Sequence, residues 1–204
     1  MCGRFTLRAA PEAVADHFEL DEPPQSQARY NIAPGQAVDA IRVSGSARIC
    51  DSLLWGLVPS WAADPSVGSR MINARVETIA EKPAFRSAIR KRRCLIPADG
   101  FYEWAGESAP KQPYHIARSD GGLFGFAGLW ASWRSEAGRE LNTCTIVTTE
   151  ANAALRAIHR RMPVIVGPGD YADWLDPDQG DVELLRGLLA RGADTPLALS
   201  LIHI

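Results

Sequence analysis

Leu141-Asn142-Thr143-Cys144-Thr145-Ile146-Val147-Thr148-Thr149 is the stretch on which the fold turns. Its density of β-branched side chains, greatest over 145–149, is that of a buried strand rather than a helix. Upstream, further strands are expected at 100–105, 112–118 and 123–133. A basic helix over 83–92 leads into another strand around Cys94-Leu95-Ile96. Residues 37–43 and 47–55 form a predicted hairpin with Ser44-Gly45-Ser46 as its turn. Nearer the start, a short helix is expected over 12–19 after Pro11, then a loop over 21–34 marked by Pro23-Pro24 and Ala33-Pro34-Gly35. Downstream, helical spacing over 150–158 gives way to a strand at 161–166 and to helices near 168–175 and 181–191. Strands and helices do not alternate regularly. The class is therefore α+β, with a curved, largely antiparallel, barrel-like sheet flanked by short helices.

The chain has 204 residues, enough for one sizeable core, and neither repeats nor low-complexity segments interrupt it. A hydrophobic content of 46% with 23% charged residues is ordinary for a globular domain. No apolar run reaches bilayer length and no signal-peptide layout precedes the fold, so a cytoplasmic or nucleoid-associated protein is expected. Four cysteines (Cys2, Cys50, Cys94, Cys144) and four histidines lie scattered. That pattern argues against a disulfide framework or a metal site, and no cofactor is expected. The formal net charge of −2 gives no global signature of nucleic-acid binding. Two local basic clusters remain, Arg86 to Arg93 and Arg156 with Arg160 and Arg161. Either could be a solvated face.

Cys2 stands directly behind the initiator methionine, where a small side chain permits removal of Met1. The exposed residue would carry an α-amine and a thiol on adjacent carbons, with ordinary pKa values of about 7.7–8.0 and about 8.5. Such a pair attacks an aldehyde twice. The amine forms a Schiff base, and the thiol then closes a thiazolidine ring in an intramolecular step of high effective molarity. Other segments are polar in unexpected places, and each has a plain structural alternative. Asn73 could cap a helix. Glu103, in Phe101-Tyr102-Glu103-Trp104, could be the solvent-facing member of an alternating strand. His159 could sit against a helix C-terminus, and Arg75 could pair with Glu77 or Glu81.

Six segments together resemble the SOS-response-associated peptidase (SRAP) family, which processes abasic sites. They are Met1-Cys2-Gly3-Arg4-Phe5, Arg29 to Gly35, Trp55 to Trp61, Ile72 to Thr78, Cys94 to Ala98 with Glu103-Trp104, and His159-Arg160-Arg161-Met162-Pro163. They follow the family's order and run to about position 175. The resemblance implies a self-contained domain that binds single-stranded DNA and crosslinks to abasic sites through a thiazolidine at Cys2; a monomer is expected because no heptad or exposed apolar stripe stands out. It gives Asn73 the task of orienting the amine and Glu103 that of general acid/base. His159 would exchange a proton with the sugar oxygen. Arg4, Asn31, Arg75 and Arg161 would contact DNA, with Pro34 and Trp61 as apolar wedges against bases.

A cysteine peptidase using Cys2 as an N-terminal nucleophile, acting on its own Met1 or on other proteins, needs much the same residues. A non-catalytic single-strand-binding module is a third reading. Only the thiazolidine demands amine and thiol together. The family usually continues beyond the last helix into another strand and an Asn-containing segment. Here the end, Leu199-Ser200-Leu201-Ile202-His203-Ile204, matches the translation of a common sequencing adapter. Residues 1–198 are therefore expected to form the domain and 199–204 to be a non-native tail.

Overall fold

Eleven-residue strands at Phe124–Arg134 and Glu140–Glu150 pair from Arg134↔Glu140 to Gly128↔Ile146 and dominate the computed structural model. The structure describes residues 2–106 and 110–202. Met1, whose removal is expected, lies outside them, as do His203 and Ile204 of the expected tail. In chain order the first strands are β1 (Phe5–Leu7), β2 (Arg29–Ile32), β3 (Ala37–Ser44), β4 (Ala47–Trp55), β5 (Asn73–Arg75) and β6 (Arg93–Ala98). They are followed by β7 (Gly100–Ala105), β8 (Gln112–Arg118), β9 (Phe124–Arg134), β10 (Glu140–Glu150), β11 (Arg161–Pro163), β12 (Ile165–Val166) and β13 (Leu197–Leu201). The helices are α1 (Pro11–Phe18), α2 (Ala88–Lys91), α3 (Tyr171–Leu175) and α4 (Val182–Arg191).

Strands β10, β4, β3, β6 and β9 pair in that order, and β9 pairs back onto β10, so the sheet closes into a five-stranded barrel. Within the ring only the β10–β4 pairing is parallel. So small a barrel leaves little interior, and small side chains are required where strands crowd. A Cβ at Gly128 would lie 2.7 Å from Cys94 Sγ. A second sheet, β13-β8-β7-β1-β2, lies against the barrel. Phe5 and Phe101 point from it into the core. Phe5 meets Trp55 edge-on at 5.3 Å and Phe126 at 5.7 Å, and Phe101 meets Phe126 at 6.0 Å. Each fully buried ring of this kind contributes about 1.5–3 kcal/mol through burial. Helix α1 presents Val14, Ala15 and Phe18 to the core at helical spacing. Helix α4 starts at Asp181, whose carboxylate caps the Glu183 and Leu184 N–H groups.

The α+β class, the largely antiparallel barrel, the hairpin and the helices near 12–19 and 181–191 agree with expectation. Other elements differ. In place of the helix expected over 150–158, Glu150 ends β10 and residues 153–158 form turns. Ala151 N–H donates to Arg160 O at 2.9 Å, closing the segment on itself so that β11 can return beside β10. That closure leaves no length for a regular helix. The helix expected over 83–92 is reduced to α2. The strand at 161–166 is broken at Val164, where the chain leaves β10 for β9. Strand β2 lies inside the expected loop 21–34, and β1, β5 and β13 are too short to show a periodicity. Strand β13 pairs with β8 from Leu197↔Arg118 to Leu201↔Tyr114, so the ladder runs through Leu199–Leu201 of the expected tail.

Candidate active site

Cys2 is fully buried just ahead of β1. Tyr102 N–H donates to Arg4 O at 2.9 Å, which lays the first residues alongside β7. Asn73 arrives from β5, held in register by Asn73↔Ile146 on β10. Its Nδ2 donates to Cys2 O at 3.0 Å. Its Oδ1 is buried with no hydrogen-bond partner among the described residues. Asn73 is thus a strand residue and caps no helix. Glu103 is 5% exposed, on the same side of β7 as Phe101, so it is not the solvent-facing member of the strand. The alternation is real, but its inner face carries a carboxylate. Burial first, and then the charge of Glu103, push the Cys2 thiol well above its ordinary range; the Arg4 backbone N–H acts weakly the other way. Cys2, Asn73 and Glu103 therefore form one cluster.

His159 follows turns rather than a helix, so no helix C-terminus stabilises it. Its Nδ1 lies 2.9 Å from Arg161 N and 3.0 Å from Arg161 O. The N–H donates to Nδ1 in the neutral ring, and a protonated Nδ1 donates to the carbonyl, so one backbone residue orients the imidazole in either charge state. Arg161 is largely committed inside the protein. It grips Glu77 with two hydrogen bonds of 2.6 and 3.0 Å and donates to Thr148 O at 2.6 Å. Glu77 therefore pairs with Arg161 and not with Arg75, which is exposed.

His159, Arg75 and Arg161 line a cleft of about 510 Å³ that Trp104, next to Glu103, also borders. Arg4 and Asn31, joined by a 2.8 Å hydrogen bond, line a smaller depression of about 230 Å³ with Tyr102 and Trp104. Trp104 separates the two hollows. Pro34 and Trp61 border neither, although Trp61 is 64% exposed. The sequence reading missed Tyr30, 65% exposed on β2, and Tyr102, whose hydroxyl donates to Tyr30 O at 2.8 Å. The aromatics interleaved with Glu103 were the available signal.

The family model described as SOS response associated peptidase (SRAP) matches residues 1–202. The chain belongs to this family. It is 46% identical over 193 residues to the abasic site processing protein YoaM of Bacillus subtilis, covering 93% of this chain and 85% of that one. It is 35% identical to the abasic site processing protein YedK of Escherichia coli, covering 86% and 79%. A crystal structure of a protein from Bacteroides thetaiotaomicron superposes with a TM-score of 0.87 at 27% identity, over 99% of this chain and 92% of the other. As an SRAP member the chain is related over as much as 93% of its length to proteins named for processing abasic sites. No helix among its described residues is long and apolar enough to cross a membrane.

Proposed function

We propose that this SRAP protein binds single-stranded DNA and captures abasic sites as a covalent thiazolidine at Cys2, once Met1 has been removed. The observation that carries the reading is the joint placement of Asn73 and Glu103 on Cys2. Asn73 fixes the Cys2 carbonyl, and its buried Oδ1 is available to accept a hydrogen bond from the α-amine. The amine attacks C1′ of the ring-opened sugar, and His159 returns a proton to the sugar oxygen as the ring opens. The carbinolamine loses water to give the imine. Sγ then adds to C1′ while its proton passes through Glu103 to the nitrogen. One water leaves overall, and amine, thiol and aldehyde need no cofactor. General acid/base assistance of this kind is worth roughly 10²–10⁴-fold in rate.

A thiol held protonated first by its burial and then by the Glu103 charge is a poor free thiolate, which weighs against Cys2 as a general peptidase nucleophile. Arg4, Asn31 and Arg75 are the proposed direct DNA contacts, with Arg161 reaching a phosphate by exchanging one of its Glu77 hydrogen bonds, and with Pro34 and Trp61 against the bases. The protein is proposed to act as a monomer in the cytoplasm, at the nucleoid. The test is denaturing electrophoresis after incubation with an abasic single-stranded oligonucleotide. Wild type should give a heat-stable adduct. Cys2→Ser, or a protein with a blocked residue ahead of Cys2, should give none. A normal yield from the blocked protein would overturn the mechanism.

A further inference from the structure

We infer that the cleft beside His159 continues into a second cationic depression that carries the DNA strand on one side of the abasic nucleotide, with Arg156 and Arg160 holding its phosphates. This deepens the abasic-site reading and rests on it. The cleft of about 510 Å³ adjoins another of about 450 Å³, and Arg75, Arg156, Arg160 and Arg161 line both. Lys111 adds a cation to the first, and Glu150 lines the second. In a chain of formal net charge −2, this is a local concentration of positive charge that begins at a proposed proton-transfer residue.

The arginines here differ in what they are doing. Arg161 is occupied by Glu77. Elsewhere Arg8, Arg42, Arg48, Arg118 and Arg191 each face a carboxylate. Arg156 and Arg160 are exposed and form no ion pair among the described residues. Among the described residues Arg156 makes only a 3.3 Å bond from Nη2 to Ala151 O.

Their loop is nonetheless fixed. Its ends are closed by Ala151 N–H to Arg160 O. Within it, Asn152 Oδ1 accepts from Leu155 N–H at 3.2 Å, and Nδ2 donates to Ala193 O at 3.0 Å. Two cations held on an anchored loop along an open groove match a phosphodiester chain, whose charges repeat at regular intervals. Trp104, 37% exposed where the groove meets the reactive cluster, offers a ring to the first base beyond it.

The experiment measures affinity for a single strand bearing a tetrahydrofuran abasic analogue, which lacks the aldehyde and so separates binding from chemistry. For Arg156→Ala/Arg160→Ala, the slope of log K against log salt should be shallower by about 1.4, at ~0.7 per phosphate contact on a single strand. Arg156→Lys/Arg160→Lys should keep the wild-type slope, as should Arg134→Ala on the distant β9 end. If the double alanine variant does not fold, Arg160→Ala alone should lose about 0.7. With the analogue at one terminus of the strand the deficit should persist, and at the other it should vanish. An unchanged slope, or equal deficits at both termini, would overturn the inference. Adduct formation by wild type on true abasic DNA is scored in parallel. An adduct with an unchanged slope sinks this inference alone, whereas no adduct at all sinks the reading beneath it.

Discussion

Asn73 and Glu103 reach Cys2 from different sheets, and each exerts a distinct physical effect on it. Asn73 acts by position. Asn73→Ala should slow single-turnover adduct formation by about 10²-fold, the scale of a misplacement of roughly 1 Å, while the melting temperature moves little. Glu103 acts on the thiol by charge, and in the proposed mechanism it also relays the proton. Removing the charge in Glu103→Gln should lower the pH at which the Cys2 thiolate forms, because that charge raises the thiol. Thiolate ultraviolet absorbance against pH reads this, and an onset unmoved or moved upward would contradict the assignment. The same substitution should cut the adduct rate by about 10²–10⁴-fold. Position alone would leave Cys2 an ordinary residue near a terminus, and it is the other family segments that single it out. The burial of Glu103 was not legible, because alternation tells which residues share a face of a strand but not which face is buried. His159, expected at the end of a helix, instead follows turns, since a turn segment that closes end to end leaves the same local composition as a short helix.

Strand β9 makes the barrel possible through a glycine. Gly128→Ala would force a Cβ to 2.7 Å from Cys94 Sγ, and Ile96 Cδ1 lies 3.2 Å away. Overpacking of this kind costs about 1–3 kcal/mol, so thermal denaturation should show a fall of roughly 2–4 °C per kcal/mol. Two histidines give the elements around the core a pH dependence. His17 on α1 lies 3.1 Å from Tyr171 Oη, and His115 on β8 lies 3.3 Å from Thr6 Oγ1. Burial first holds both rings below the ordinary imidazole range. Arg118 adds to this at His17 and Arg8 at His115, with Asp120 and Asp99 opposing. The unfolded chain therefore takes up these protons more readily. The contribution is complete above the unfolded pKa of about 6.5 and is lost as pH falls through it. His17→Gln/His115→Gln should show a shallower decline in melting temperature between about pH 7 and about pH 5 than wild type. An equal or steeper decline would contradict the assignment.

At the scale of the whole molecule, the long strands β9 and β10 and the β3–β4 hairpin were legible because each satisfies its periodicity within its own length. Strands of three to five residues such as β1, β2, β5 and β13 carry no such signal, and only their partners define them. Barrel closure itself depends on β9 pairing with both β6 and β10, which no local pattern reports. The domain boundary at 198 is open to a direct trial. In β13, Leu199 is 37% exposed and Leu201 54%, and Ile202 N–H donates to Pro113 O, so deletion of residues 199–204 should cost about 0.5–1.5 kcal/mol for each edge hydrogen bond lost, and adduct formation should persist. The most direct test of the central claim is intact mass spectrometry of the protein as isolated from cells, before and after incubation with an abasic single strand. The account predicts a chain lacking Met1 that gains the mass of the oligonucleotide less one water. A chain that keeps Met1 and still forms the adduct, or one that lacks Met1 and forms none, would contradict it.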